Sequence, residues 1–209
     1  MGSYQPPSET ARISQTLKRA AAALREADVP FALAGSVACW ARGGPAPCND
    51  LDFAVRHQDG ERALEALVGA GMRPERPPEG WLLKAWDGEV LIDVIFELAG
   101  VPDVDVLLGR AERLTVQAVR LPVLALDDVM VSKLSSLDEH DLDFTAPLQV
   151  ARMLREKIDW HQVRSRTADS PYARGFLALL EALEVIPRAG GGPPMRSGRE
   201  PRVRVVGGG

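Results

Sequence analysis

The sequence contains little cysteine, little histidine and no long apolar run. Its 209 residues include two cysteines, Cys39 and Cys48, and three histidines, and neither set has the spacing of a metal site. No stretch approaches the roughly 18–20 consecutive apolar residues of a membrane span, and the N-terminus lacks the basic and then apolar pattern of a signal peptide. We therefore expect a cytoplasmic protein with no disulfide framework and no membrane contact.

A strong charge of either sign is also missing. The chain carries 25 basic and 29 acidic side chains, which gives a formal net charge of −4. This balance argues against a surface that binds nucleic acid mainly through its charge. Hydrophobic residues make up 45% of the sequence, enough to fill the core of one globular domain or of a catalytic half and a helical half.

Two carboxylates one residue apart lie inside an apolar strand. Asp50 and Asp52 alternate with Leu51, Phe53 and Val55, so the two-residue period of a strand places both carboxylates on one face. Like charges in that position repel each other, and a divalent cation between them converts the repulsion into binding. The alternative is a pair of exposed acids on an edge strand.

A third carboxylate lies in a second apolar strand. The run Glu89–Glu97 is rich in β-branched and aromatic residues, and Asp93 stands at its centre. A charge in such a run is costly to bury unless it is paired or coordinates a metal, although an edge position or a salt bridge to an arginine also accounts for it. Together with Asp50 and Asp52 it forms an oxygen donor set that suits Mg²⁺, which takes its other ligands from water and substrate phosphates.

A Gly-Ser pair precedes these acids. The short apolar stretch 31–34 predicts a buried strand that leads into Gly35, and glycine permits a sharp turn and the close approach of a phosphate. Ser36 has the side chain of a helix cap, and the free N–H groups of a helix start attract anions. An ordinary strand-turn-helix connection is the alternative for this pair taken alone.

These motifs resemble the polymerase-β-type nucleotidyltransferase superfamily. The residues that carry the resemblance are Gly35, Ser36, Asp50, Asp52 and Asp93. The form "AGS…ARGGP…NDLDF" is most similar to small bacterial nucleotidyltransferases of the AbiEii group and to MenT-type toxins, over roughly residues 10–185. The resemblance implies that the three acids hold two Mg²⁺ (or Mn²⁺) ions and that the enzyme moves an NMP from an NTP to an acceptor hydroxyl with release of pyrophosphate.

The resemblance extends to the second half of the chain. AbiEii-like proteins use a lysine of a Lys-Leu pair to contact the nucleotide, and Lys133 and Leu134 match that pair. An aspartate shortly afterwards completes the motif, for which Asp141 and Asp143 are both candidates; a solvated lysine and a solvated or helix-capping acidic loop are the alternatives. The predicted nucleotide-binding residues are Gly35, Ser36 and Lys133.

The chain also departs from this family. Many relatives carry an arginine and a Ser or Thr shortly before the first metal aspartate, whereas here Arg42 lies further upstream and Cys48 stands nearby. A partner antitoxin silences toxin relatives by phosphorylating that Ser or Thr, and Cys48 does not allow this. The acceptor therefore stays open between a tRNA 3′ end, a protein hydroxyl and a small molecule such as an antibiotic, with a cognate antitoxin as a possible partner. A catalytically silent binding protein is the remaining alternative.

The overall pattern predicts an α+β fold with a mixed sheet in the first half and helices in the second. We expect a nucleotidyltransferase core over residues 1–125, a helical subdomain over 126–186 and a disordered Gly/Pro/Arg tail over 187–209. The predicted helices are 9–27, 36–42, 59–68, 127–137, 144–157, 160–166 and 171–184. The predicted strands are 31–34, 51–55, 81–86 and 90–96, with one or two more in 114–126 and a loop over 73–80.

Overall fold

A computed structural model describes residues 8–47 and 50–188 of the chain. The predicted tail beyond residue 188 and Cys48 lie outside these described residues. None of the helices in the described ranges combines the length and the apolar character that crossing a bilayer requires.

The described strands form one mixed sheet, as the sequence predicts. The spatial order is β3-β4-β5-β2-β1-β7-β6. The pairs β2/β5 and β1/β7 are parallel, and the other neighbouring pairs are antiparallel. The bounds are β1 Phe31–Leu33, β2 Asp50–Val55, β3 Arg73–Glu75, β4 Leu82–Asp87, β5 Val90–Ile95, β6 Glu112–Val116 and β7 Val119–Val123.

Helices alternate with strands in the first half, and after β7 the described chain forms helices only. The bounds are α1 Glu9–Glu26, α2 Gly35–Trp40, α3 Gly60–Gly69, α4 Val104–Arg110, α5 Leu126–Ser135, α6 Thr145–Leu154, α7 Trp160–Arg166 and α8 Pro171–Ala182. The α+β fold class is thereby confirmed. The division of the chain at residue 125 stays a prediction.

One face of the sheet is apolar and packs against α1 and α3. Leu51, Phe53 and Ile92 are fully buried on this face; α1 contacts both β2 and β5, and α3 contacts β5. The edge of the same face is fixed by Asp87 of β4, whose carboxylate accepts hydrogen bonds from Thr16 at 2.7 Å and from Arg19, both on α1. Because side chains alternate along a strand, the acids of β2 and β5 lie on the opposite face.

Two short elements differ from the sequence prediction. The segment 73–80, predicted as a loop, begins with β3, which pairs antiparallel with β4 despite Pro74. It is an edge strand, where a missing N–H donor is tolerated. The helix α4 was not predicted, because its seven residues are too few to show a helical period; Asp103 caps it by accepting from the N–H of Asp105 at 2.8 Å.

The start of α3 also differs in detail. The helix predicted over 59–68 begins at Gly60, and Asp59 stands at its N-cap position without a capping hydrogen bond from its side chain. Its carboxylate instead accepts from Arg62 at 2.7 Å.

A buried carboxylate anchors the helical half. Asp128 in the first turn of α5 is 0% exposed, and its Oδ1 contacts Arg166 of α7 and, at 3.3 Å, Arg110 of α4. A buried charge is stabilising only while it is paired, so this contact fixes α5 against two other helices. The position of α5 matters because it also carries Lys133.

We expect Asp128→Asn to lower the free energy of unfolding by about 2–4 kcal/mol, since two arginines lose their shared anion and a buried polar group is left poorly paired. Urea unfolding followed by circular dichroism measures this. The exposed Asp169→Asn on the same half is the control and should change stability by less than about 0.5 kcal/mol. Equal stability of Asp128→Asn and the control would contradict the anchoring role.

Candidate active site

The three predicted acids lie on neighbouring parallel strands. Asp50 and Asp52 are on β2, Asp93 is on β5, and the register pairs Asp52 directly with Asp93. Residues paired across two strands point to the same face, so all three side chains share the face opposite α1 and α3. All three residues are partly buried.

Burial and mutual repulsion disturb the ionisation of these acids. The pKa of Asp52 is raised from 3.8 to about 7, first by burial and then by the charges of Asp50 and Asp93. Burial also raises the pKa of Asp50, which Lys133 partly offsets. The pKa of Asp93 is likewise raised by burial, and Lys84 offsets that shift. The carboxylates therefore form a site whose full negative charge calls for a cation.

The Gly-Ser pair contacts these acids directly. Gly35 has φ of +55°, and a Cβ built on it would lie 1.7 Å from Oδ2 of Asp52, so only glycine leaves room for that carboxylate. The hydroxyl of Ser36 donates to Oδ1 of Asp50 at 3.4 Å. The sequence suggested that Ser36 caps α2, but it does not. The N-cap residue is Ala34, which offers no capping side chain.

A cavity of about 680 Å³ opens beside the acids. Asp52 lines it from the sheet, Gly35 from the start of α2 and Lys133 from α5, whereas Asp50, Asp93 and Ser36 are not part of the lining. The structure therefore brings Lys133 and Gly35 to the same cavity, although they lie far apart in sequence. The charge of Lys133 lowers the pKa of both Asp50 and Asp52, which places it electrostatically close to them.

The cavity lining also holds acidic and aromatic side chains. Glu97 and Asp138 line the cavity together with Trp81, which is 42% exposed. Trp81 was predicted within the strand 81–86 but lies just before β4. Of the candidate acids after Lys133, neither Asp141 nor Asp143 lines this cavity. Asp143 accepts from the N–H of Thr145 at 2.8 Å, at the start of α6, and this contact lowers the pKa of its carboxyl.

Sequence reasoning missed Lys84. It is paired in register with Asp93, and its Nζ lies 3.3 Å from Oδ1 of Asp93. The Asp87-Gly88 pair contained the signal, because it is typical of a tight hairpin turn, and counting back equally from both sides of the turn aligns residue 84 with residue 93. The displaced Arg42 takes no part in the cavity lining and pairs with Glu112 at 3.3 Å.

The donor set fits a hard divalent cation in its chemistry. Within residues 8–47 and 50–188, no three His, Cys, Asp or Glu side chains stand in a ready metal-binding arrangement. One oxygen of Asp93 faces Lys84, and this same buried Oδ1 has no hydrogen-bond donor of good geometry. Asp50 and Asp52 nevertheless supply adjacent carboxylate oxygens, which are the ligands that Mg²⁺ and Mn²⁺ prefer.

The raised pKa of Asp52 makes stability depend on pH in chelator-containing buffer. The folded protein holds the Asp52 proton up to about pH 7, whereas the unfolded chain releases it near 3.8. The folded state therefore binds more protons in this window, and the free energy of unfolding falls as pH rises. Asp52→Asn removes this loss, so its stabilising effect should grow between about pH 4 and about pH 7 and reach roughly 2–4 kcal/mol above it.

Urea unfolding of wild type and Asp52→Asn across this pH range measures the effect. Asp169→Asn should follow the wild-type pH profile, because its side chain is exposed. A stability gain of Asp52→Asn that does not change with pH would contradict the assigned ionisation.

The comparison with known proteins rests on structure alone. No family model matches the chain, and no curated protein matches it significantly. The solution structure of the antibiotic-resistance factor ANT(2'')-Ia matches with a TM-score of 0.59 and 15% identity, over 85% of this chain and 98% of that one.

Two crystal structures are more distant. ANT(2'')-Ia in complex with adenylyl-2''-tobramycin has a TM-score of 0.49 and 13% identity, over 82% of this chain and 98% of that one. The lincosamide antibiotic adenylyltransferase LnuA with lincomycin bound has a TM-score of 0.46 and 13% identity, over 73% and 97%. The predicted closeness to AbiEii and MenT proteins stays a prediction. The chain therefore shares the fold of ANT(2'')-Ia over most of its length.

Proposed function

We propose that this protein is an enzyme that transfers an NMP from an NTP to an acceptor hydroxyl with release of pyrophosphate. The observation that carries the proposal is the placement of Asp50, Asp52 and Asp93 on one face of paired strands, next to a cavity that Asp52 and Lys133 line. Phosphoryl and nucleotidyl transfer need charge neutralisation and positioning of phosphates, and carboxylates and a lysine around one cavity supply both.

We assign one divalent cation, Mg²⁺ or Mn²⁺, to the carboxylates of Asp50 and Asp52. We assign a second divalent cation to the carboxylate of Asp93. Bound there, such ions neutralise charge on the phosphates and lower the pKa of the attacking hydroxyl. Ser36 orients the Asp50 carboxylate through its hydroxyl, and Gly35 leaves space for Asp52. Lys133 is assigned to the phosphates of the NTP.

The shape and charge of the cavity favour a small-molecule acceptor over a tRNA 3′ end. A volume of about 680 Å³ lies within the roughly 300–1,000 Å³ typical of small-molecule sites. Glu97 and Asp138 add acidic groups to the cavity lining, which disfavours a phosphodiester backbone and suits an acceptor with positive groups. The shared fold with the antibiotic-resistance factor ANT(2'')-Ia supports the same class.

The toxin interpretation requires a tRNA acceptor and a cognate antitoxin. The net charge of −4 and the acidic side chains in the cavity lining do not favour a tRNA acceptor. A catalytically silent binding protein is the other alternative, and turnover separates it from the proposal.

Transfer of label from α-³²P-labelled NTPs tests the proposed activity. The purified protein is incubated with Mg²⁺ or Mn²⁺, each labelled NTP, and tobramycin, lincomycin or total tRNA as acceptor. We expect label on a small molecule, and we expect Asp50→Asn and Asp93→Asn each to lower the rate by at least about 100-fold, because each removes a charge that the transition state requires.

Asp169→Asn serves as the control and should retain wild-type rate. Label on tRNA alone would overturn the small-molecule acceptor and favour the toxin interpretation. Transfer that survives Asp50→Asn and Asp93→Asn would contradict the site. If no acceptor takes up label, and Mg²⁺ with NTP does not change the melting temperature, the protein lacks this activity.

A further inference from the structure

A row of charged side chains crosses the sheet on the face of the acids. The register pairs Glu75 of β3 with Lys84 of β4, Lys84 with Asp93 of β5, and Asp93 with Asp52 of β2. Side chains opposite each other in a sheet are neighbours, so one lysine stands between two carboxylates, and the next position is occupied by a third. This row ends at Gly35, which approaches Asp52 from α2.

Lys84 is the member of this row that the proposed reaction has not used. Its Nζ lies 3.3 Å from Oδ1 of Asp93, with the side chains of the two residues 24% and 18% exposed. An ion pair with this degree of burial is screened less than a surface pair. The ammonium group also lowers the pKa of the Asp93 carboxyl against the effect of burial, so it acts on the same charge that a metal ion would neutralise.

The pairing sets Asp93 apart from the other two acids. In the described residues, Asp50 and Asp52 contact Ser36 at the start of α2, and no ion pair joins either acid to a basic side chain. Asp93 alone of the three has an ammonium group in contact. A divalent cation approaching Asp93 therefore meets an ammonium group in direct contact with the carboxylate, whereas at Asp50 and Asp52 the charge of Lys133 acts without an ion-pair contact.

We propose that Lys84 is a positioning residue whose ammonium group takes the place of a cation at Asp93 in the nucleotide-free protein. The protein then binds one divalent cation on its own, at Asp50 and Asp52, and takes up the second only together with the negative charge of an NTP. Glu75, the register neighbour of Lys84 on its other side, offers the ammonium group a second carboxylate when Asp93 engages a metal ion. This inference rests on the proposed function, since it concerns the same three acids.

Titration of the full-length protein with Mn²⁺, followed by the electron paramagnetic resonance signal of the free ion, tests the inference without activity. We expect one bound Mn²⁺ per chain in wild type and two in Lys84→Met and Lys84→Gln, or else affinity at least tenfold higher in these variants. Lys84→Arg keeps the charge and should behave as wild type. Lys18→Met removes an exposed lysine on the opposite side of the sheet and should also leave the titration unchanged.

The gain in melting temperature on adding Mn²⁺ supplies a second readout, which the loss of a purely structural ion pair would not change. In chelator, the neutral variants should melt below wild type, because Asp93 loses its partner. With saturating Mn²⁺ they should gain more than wild type gains, since ligand binding stabilises the folded state in proportion to affinity and number of sites.

The outcomes separate this inference from the proposed function. Equal stoichiometry and affinity in wild type, Lys84→Met and Lys84→Gln, with binding that Asp50→Asn abolishes, would overturn the role of Lys84 and leave the metal site intact. No Mn²⁺ binding in any of these proteins, with or without a non-hydrolysable NTP, would overturn both.

Discussion

The repulsion between three carboxylates on one face of a sheet is the constraint on which the rest of the site depends. Asp50, Asp52 and Asp93 are held together by the parallel pairing of β2 and β5; burial raises the pKa of all three, and neighbouring carboxylates raise the pKa of Asp52 and Asp93 further. The apolar face of the same strands, packed on α1 and α3, provides the stability that offsets this cost. The clustered carboxylates thus lower the stability of the fold locally and create a negatively charged site, as is common at functional sites.

The surroundings of the acids determine what relieves the repulsion. Gly35 allows the Asp52 carboxylate to lie against the start of α2, and Lys84 neutralises part of the charge at Asp93. On the other side of the cavity, Lys133 depends on the position of α5, which the buried Asp128 fixes through its two arginines. Residues from both halves of the chain therefore contribute to one cavity, and the stability of the helical half bears directly on the site.

Local patterns in the sequence were sufficient for most elements and for the acids, because a period of two residues determines which side chains share a strand face. They were insufficient where a feature depends on pairing or on packing at long range. The contact of Lys84 with Asp93 depends on the register of β4 on β5. The helix α4 is too short to show a helical period. The wrong assignment of a cap to Ser36 has a similar cause, since its hydroxyl is drawn to Asp50, a residue of another element.

The most direct test of the central claim is the anomalous diffraction signal of Mn²⁺ in crystals grown with a non-hydrolysable NTP. The account predicts a peak in contact with the carboxylates of Asp50 and Asp52, with the triphosphate on the side of Lys133. A nucleotide bound elsewhere, or manganese absent from these carboxylates while the nucleotide occupies the cavity, would contradict it.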